Sequence, residues 1–171
     1  YISLLGAVDV KAAAPVLSMG ASTVIQGQGN ALTTRNVVNM AGSEVALADT
    51  TTWNNLGTLN LGDGAVFTSG AGRLVNGGTV VKTGTGLVVV PLSNMGGGTV
   101  RIEGGTLDAR QGTDNPNNGT IVLQAGTTLS GGGTDIYNNG SISGSGTIAL
   151  GGDGTLVNNG TVSPGTAATA G

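Results

Sequence analysis

Histidine and cysteine are both absent from the 171 residues. Without histidine there can be no Ser-His-Asp triad, no His-activated nucleophile and none of the usual zinc sites. Without cysteine the fold takes no disulfide, which is compatible with export through an unfolded state. Aromatics make up only 2% of the chain, namely Tyr1, Trp53, Phe67 and Tyr137. A compact globule relies on several such rings, so the core must be narrow and filled in layers by medium aliphatics. Charge is sparse as well, at 9% of residues, and the six basic ones (Lys11, Arg35, Arg73, Lys82, Arg101, Arg110) are scattered under a net charge of −3. With so few cations and no rings to stack on bases, nucleic-acid binding is disfavoured. The longest apolar run, Leu87 to Leu92, contains Pro91 and is too short to span a membrane. No Walker loop is present, and the glycines lack the strand-then-helix context that phosphate cradles need.

What the chain has in quantity is glycine, 34 residues, without the Gly-X-Y triplet of collagen. Thr, Val, Leu and Ile recur between the glycines at strand spacing, which separates the sequence from a flexible linker. An Asn-rich turn followed by Gly-Thr and an aliphatic residue returns throughout. Its instances are Asn54-Asn55-Leu56-Gly57-Thr58-Leu59, Asn76-Gly77-Gly78-Thr79-Val80, Asn94 with Gly98-Thr99-Val100, Asn117-Asn118-Gly119-Thr120-Ile121, Asn138-Asn139-Gly140-Ser141-Ile142 and Asn158-Asn159-Gly160-Thr161-Val162. The anchoring glycines 57, 78, 98, 119, 140 and 160 are separated by 21, 20, 21, 21 and 20 residues. A period held that tightly means one supersecondary unit stacked on itself, a solenoid.

A second glycine turn follows each anchor, at Gly64, Gly84, Gly105, Gly126 and Gly146, and a third near Gly70 to Gly72, Pro91, Gly112, Gly131 to Gly133 and Gly151 to Gly154. Three turns imply three short strands per coil, each pairing in parallel with its counterpart one coil away. Glycine suits such corners because the backbone takes positive φ or bends too sharply for a Cβ. Alternation then assigns the core. Val100 and Ile102 point in between Thr99, Arg101 and Glu103, and Leu59, Leu61, Ile121 and Leu123 share their columns. Val66, Leu107, Leu129 and Ile148 are the inward candidates of the second strand, with Leu74, Leu92, Ile136 and Leu156 those of the third. Lys82 falls where Leu61, Ile102 and Leu123 sit, so either the backbone bulges or the lysine stem lies along the core with its head escaping.

With coils about 4.8 Å apart, Asn55, Asn76, Asn118, Asn139 and Asn159 are expected to stack amide on amide as a structural ladder. Thr58, Thr79, Thr99, Thr120 and Thr161 would form a second ladder beside it. Residues 54–171 are the regular coils. Residues 1–53 form an irregular N-terminal segment with about two degenerate coils, in which Val16-Leu17-Ser18-Met19, Thr23-Val24-Ile25, Asn36 to Met40 and Glu44 to Leu47 still have strand character. Ile2 to Val8 followed by Lys11 to Ala14 has some signal-peptide features, but Asp9 and the missing basic start place it in the mature chain. Residues 166–171 look like the start of a further coil. Neither end shows a helical or charged cap, and uncapped strand edges invite end-to-end pairing.

β-Helical enzymes make the carboxylates worth checking: Asp63, Glu103, Asp108, Asp114, Asp135 and Asp153. A glycosidase needs two carboxyls across one sugar. Asp114 and Asp135 recur in Gly112-Thr113-Asp114 and Gly133-Thr134-Asp135, which would stack them on an outer corner where a Ca²⁺ could sit, or where they are simply solvated turn residues. Gly151-Gly152-Asp153-Gly154 fails as a calcium nonapeptide because Leu156 holds its Asp position and the nine-residue period is missing. Arg101 with Glu103 and Asp108 with Arg110 alternate outward as solubility and edge-protecting charges.

Arg73-Leu74-Val75-Asn76-Gly77-Gly78-Thr79-Val80-Val81-Lys82-Thr83-Gly84 resembles the repeat of filamentous-haemagglutinin-like and autotransporter-type bacterial adhesins. So do Gly104-Gly105-Thr106-Leu107, Ile142-Ser143-Gly144-Ser145-Gly146-Thr147-Ile148 and Asn159-Gly160-Thr161-Val162-Ser163-Pro164-Gly165. The resemblance covers about residues 54 to 166. It implies a right-handed parallel β-helix, secreted across the outer membrane of a Gram-negative bacterium to the cell surface. There it would act as the shaft of a fibre used in attachment, aggregation or biofilm matrix. Those proteins are usually far longer, so the chain is either a piece of one or a short relative that gains length by assembly. The expectation is therefore a non-enzymatic, cofactor-free segment whose partners are further copies of itself and surface glycans or matrix polysaccharide. The competing reading is a polysaccharide-binding or polysaccharide-cleaving β-helix of the pectate-lyase kind, which needs clustered basic residues beside several Asp. An ice-binding β-helix needs a flat Thr-x-Thr array, and Thr83-Gly84-Thr85 is the only such triplet in the regular coils of residues 54–171.

Overall fold

A strand of three or four residues turns only one or two side chains inward, too few to hold it in place alone. Stacking solves this, because each inward residue then lies on its equivalents above and below. The computed structural model describes residues 2–3, 8–10, 16–18, 23–26, 29–48, 50–68, 72–110 and 116–165. It is all-β, with no helix among the described residues, and its strands pair in parallel across successive coils of a three-faced β-solenoid.

The threonine face is one eight-stranded sheet: Val16–Ser18, Val37–Met40, Thr58–Leu61, Thr79–Lys82, Thr99–Ile102, Thr120–Leu123, Ser141–Gly144 and Thr161–Pro164. The asparagine face joins Val8–Val10, Ala31–Thr34, Thr52–Asn55, Arg73–Asn76 and Leu92–Asn94. Single bridges through Asn117 carry it on to Ile136–Asn138 and Leu156–Asn158. The third face is divided into two four-stranded sheets, one ending at Val66–Thr68 and the next beginning at Leu87–Val89. Strands ahead of residue 54 keep the same register, with Leu32 opposite Trp53 and Val38 opposite Leu59. The tail from 166 to 171 and the residues between the first short strands lie outside the described residues.

The core is a set of columns. Val38, Leu59, Val80, Val100, Ile121 and Ile142 form one under the threonine face, all essentially without exposure. Leu32, Trp53, Leu74, Leu92 and Ile136 form another under the asparagine face. On the third face Val45, Phe67, Val88, Leu107 and Leu129 point in, with Ile148 only partly covered. Val66 does not belong there. It is 45% exposed, because its strand pairs Val66 with Glu44 and Phe67 with Val45, one residue out of the expected phase. A slip of one residue exchanges the faces of a strand, and the ring of Phe67, 6.2 Å from that of Trp53, is the better filler.

Candidate functional site

The main polar structure is buried. Where the asparagine face turns into the threonine face, Nδ2 of Asn55 donates to Oδ1 of Asn76 at 2.8 Å. The chain of bonds continues from Asn76 to Asn94 at 2.8 Å, to Asn117 at 2.7 Å, to Asn138 at 2.7 Å and to Asn158 at 2.6 Å. Asn55, Asn76, Asn94, Asn117 and Asn138 have no exposed surface. Each amide uses its other N–H on a carbonyl of the next coil: Thr79, Thr99, Thr120, Ser141 and Thr161 in order. The ladder therefore ties two faces together across every coil boundary it spans. All its dipoles point one way, an arrangement in which neighbouring bonds polarise one another. It begins at Asn55, whose buried Oδ1 has no donor among the described residues. One coil earlier stands Thr34, its hydroxyl accepting from Trp53 Nε1 at 2.9 Å.

The structure separates the five asparagines expected in one ladder into two columns. Asn55 and Asn76 belong to the buried one. Asn118, Asn139 and Asn159 form a second, exposed column one residue further along, with Asn139 donating to Asn118 and Asn159 to Asn139, both at 3.1 Å. Asn94, Asn117, Asn138 and Asn158 are the members that sequence reasoning missed. Counting back two residues from the anchor glycine finds all but Asn94, which is displaced by the longer turn Met95-Gly96-Gly97. In the threonine column, Ser141 Oγ donates to Thr120 Oγ1 at 3.2 Å.

Lys82 lies in the core column in register with Leu61 and Ile102, so the backbone does not bulge. Its stem is fully buried and its head stops under the next corner, where Nζ donates to the carbonyls of Thr83, Gly104 and Gly84 at 2.5, 3.2 and 3.3 Å. Asp63 reaches over the same corner from the preceding coil and accepts the Gly86 N–H at 2.9 Å. That amide, followed by the Thr85 amide and the Lys82 charge, holds the Asp63 carboxyl below its ordinary value against some desolvation. Burial lowers the pKa of Lys82, and Asp63 offsets part of the effect. In the pH interval between the lowered value and the ordinary lysine value, folded Lys82 binds fewer protons than the unfolded chain. Stability from this group therefore rises with pH through that interval. In Lys82→Met the rise should vanish, and the neutral-pH stability should change little, since exchanging a buried charge for a hydrophobe of similar size is often neutral or favourable. Urea unfolding of both proteins from neutral to alkaline pH checks this; parallel pH profiles would refute it.

The remaining carboxylates are engaged separately. Asp135 Oδ1 accepts the Thr155 N–H and hydroxyl, both at 2.8 Å, and Oδ2 accepts from Tyr137 at 3.3 Å. The Thr155 hydroxyl, then its amide, lowers the pKa of Asp135. Its Oδ1 thus faces hydrogen-bond donors of the neighbouring coil and its Oδ2 a donor of its own coil, and Asp114, expected beneath it, lies outside the described residues. No cluster of three or more potential metal ligands occurs among the described residues. Asp108 corrects another expectation. It is 6% exposed rather than outward in solvent, its Oδ1 accepting the Arg110 N–H at 3.1 Å while Gly132 closes over it. Arg101 and Glu103 do pair on the surface at 2.6 Å. Among the described residues no helix is long and apolar enough to cross a membrane.

Fold and polar columns together define a parallel β-solenoid held by an internal asparagine ladder. No protein-family model matches the chain, nor does any curated protein or solved structure.

Proposed function

We propose that the chain is a structural segment of a secreted bacterial surface fibre, a shaft without catalytic activity that associates end to end with further copies. The observation that carries this reading is the state of the last described coil. Ile148, Leu150, Leu156 and Val162 are only partly covered there, and Asn158 at the end of the ladder is exposed. Gly144 interrupts an inward column and leaves a hollow of about 50 Å³ bounded by Leu123, Ile142, Ile148, Val162 and Pro164. A further coil laid on this surface, whether of the same chain or of another copy, would cover the aliphatics, extend three strand ladders and receive the Asn158 amide. Apolar burial at about 25 cal/mol per Å² and parallel strand pairing then act in the same direction. Secretion, the cell surface, the Gram-negative source and an affinity for surface glycans or matrix polysaccharide are proposed on the repeat resemblance alone. A polysaccharide-cleaving site gains no support, since Asp63, Asp108 and Asp135 each accept a backbone amide, from Gly86, Arg110 and Thr155 in turn.

Negative-stain electron microscopy at low and high protein concentration tests the assembly. Thin fibres of uniform width, lengthening with concentration, are the expected result. Short monodisperse rods at every concentration would overturn end-to-end association.

A further inference from the structure

The sequence holds four Asn-Gly pairs, at Asn76, Asn118, Asn139 and Asn159, all at the corner of the two asparagine columns. Asparagine is chemically labile, and most so before glycine, where no Cβ hinders ring closure. The glycine backbone nitrogen attacks the Asn side-chain carbonyl carbon and ammonia leaves. The resulting succinimide is opened by water to aspartate or isoaspartate. No oxidant or cofactor enters. The step needs a side chain free to swing back and a glycine N–H not held in a hydrogen bond.

The four pairs differ in both respects. Asn76 is buried with its Nδ2 donating to Asn94 and Thr99, and Gly77 N is held by Asn55 O at 2.9 Å. Asn139 and Asn159 are exposed, but each donates its Nδ2 along the outer column, and Gly140 N and Gly160 N are bonded to Asn117 O and Asn138 O, both at 3.0 Å. Asn118 is exposed, and among the described residues its Nδ2 has no acceptor and Gly119 N makes no backbone hydrogen bond. The cause is the longer turn one coil earlier, Met95-Gly96-Gly97, after which Asn94 O accepts from Asn118 N at 2.7 Å but not from Gly119 N. We propose that Asn118 is a site of spontaneous covalent modification, converting to aspartate and isoaspartate with loss of ammonia ahead of every other asparagine in the fold.

The two products have different consequences. Asn118 serves its column as the acceptor for Asn139, a role an aspartate keeps while adding a negative charge to an exposed corner. Isoaspartate inserts a backbone atom between Asn117 of the buried ladder and Gly119. A Cβ on Gly119 would already lie 2.2 Å from Gly98 O, so that corner has no room to shift. Modification therefore splits the protein into one population that keeps its coil register and one that strains it. The inference rests on corner geometry and is independent of the shaft reading.

Peptide mapping by mass spectrometry of the folded protein, aged at mildly alkaline pH, reads each site separately. Asn118 should convert at least about fivefold faster than Asn139 or Asn159, the factor that one additional backbone hydrogen bond imposes on a step that must break it. Asn76 should be slowest. In urea the four rates should converge, which would assign the order to the fold. Equal rates in the folded protein, a lead for Asn139 or Asn159, or no conversion of folded Asn118 while the unfolded chain converts fully would each overturn the proposal. Asn118→Asp should fold and melt like the unmodified protein; a lower melting temperature would refute the acceptor-only role.

Discussion

Asn117→Ala is expected to destabilise the protein by about 3 kcal/mol, whereas Asn118→Ala, one residue away, should change stability by no more than about 0.5 kcal/mol. Asn117 has no exposed surface and stands in the middle of the buried ladder. It accepts from Asn94 at 2.7 Å and donates to Asn138 at 2.7 Å and to Ser141 O at 3.2 Å. Truncation removes the donor to Asn138 Oδ1 and one acceptor of Asn94 Nδ2, at a corner water reaches poorly. Each buried group left unsatisfied costs about 1–3 kcal/mol. Asn118 is exposed, and the Asn139 amide it accepts can turn to water instead. Urea unfolding followed by far-UV circular dichroism would give both values. Similar losses for the two variants would mean that the inner column contributes no more than the outer. Because solenoid stability is close to a sum over neighbouring coils, a deep Asn117 defect should also broaden the transition, with the coils on either side unfolding separately.

The period was legible because it is imposed by something simple, the return of a backbone corner every 20 or 21 residues. The aliphatic columns followed from alternation, and Leu59, Leu74, Val100, Ile121 and Leu129 are all buried. What sequence could not supply was phase within the turns. In Asn117-Asn118 and Asn138-Asn139 two identical side chains compete for one buried position, and only the stacked coils decide that the first faces in. The ladder's steps of 21, 18, 23, 21 and 20 residues are also less regular than the glycine period, because the insertion after Asn94 lengthens one coil's turn. Val66 and Phe67 posed the same problem in a three-residue strand. Lys82 was legible as an anomaly only, since the carbonyls that receive its head belong to Thr83 and Gly84 of its own corner and to Gly104 one coil on. Asp108 and Asp135 are placed by partners that no local pattern announces, a backbone amide in one case and Thr155 of the next coil in the other.

Gly140→Ala should cost about 3 kcal/mol or more, and Gly126→Ala only about 1–2 kcal/mol, although glycine at 126 takes a left-handed φ of 77° and glycine at 140 does not. The anchor glycines are required for proximity, not for conformation. A Cβ at Gly140 would lie 2.1 Å from Gly119 O, and the equivalents at Gly78, Gly119 and Gly160 lie 2.2, 2.2 and 2.0 Å from the carbonyl one coil back. That same carbonyl accepts the following residue's N–H, Ser141 N to Gly119 O at 2.9 Å. Its direction toward the next coil is therefore fixed, and the glycine Cα must pass close beside it. A methyl group forces the coils apart by roughly an ångström, loosening both the Ser141 bond and the Asn117-to-Asn138 contact a few residues away. At Gly126 a Cβ meets nothing within 4 Å, so alanine there incurs only backbone strain. Thermal unfolding of the two single variants separates the cases. A larger loss at Gly126 than at Gly140 would mean that turn conformation, rather than the spacing of stacked carbonyls, sets the glycine period.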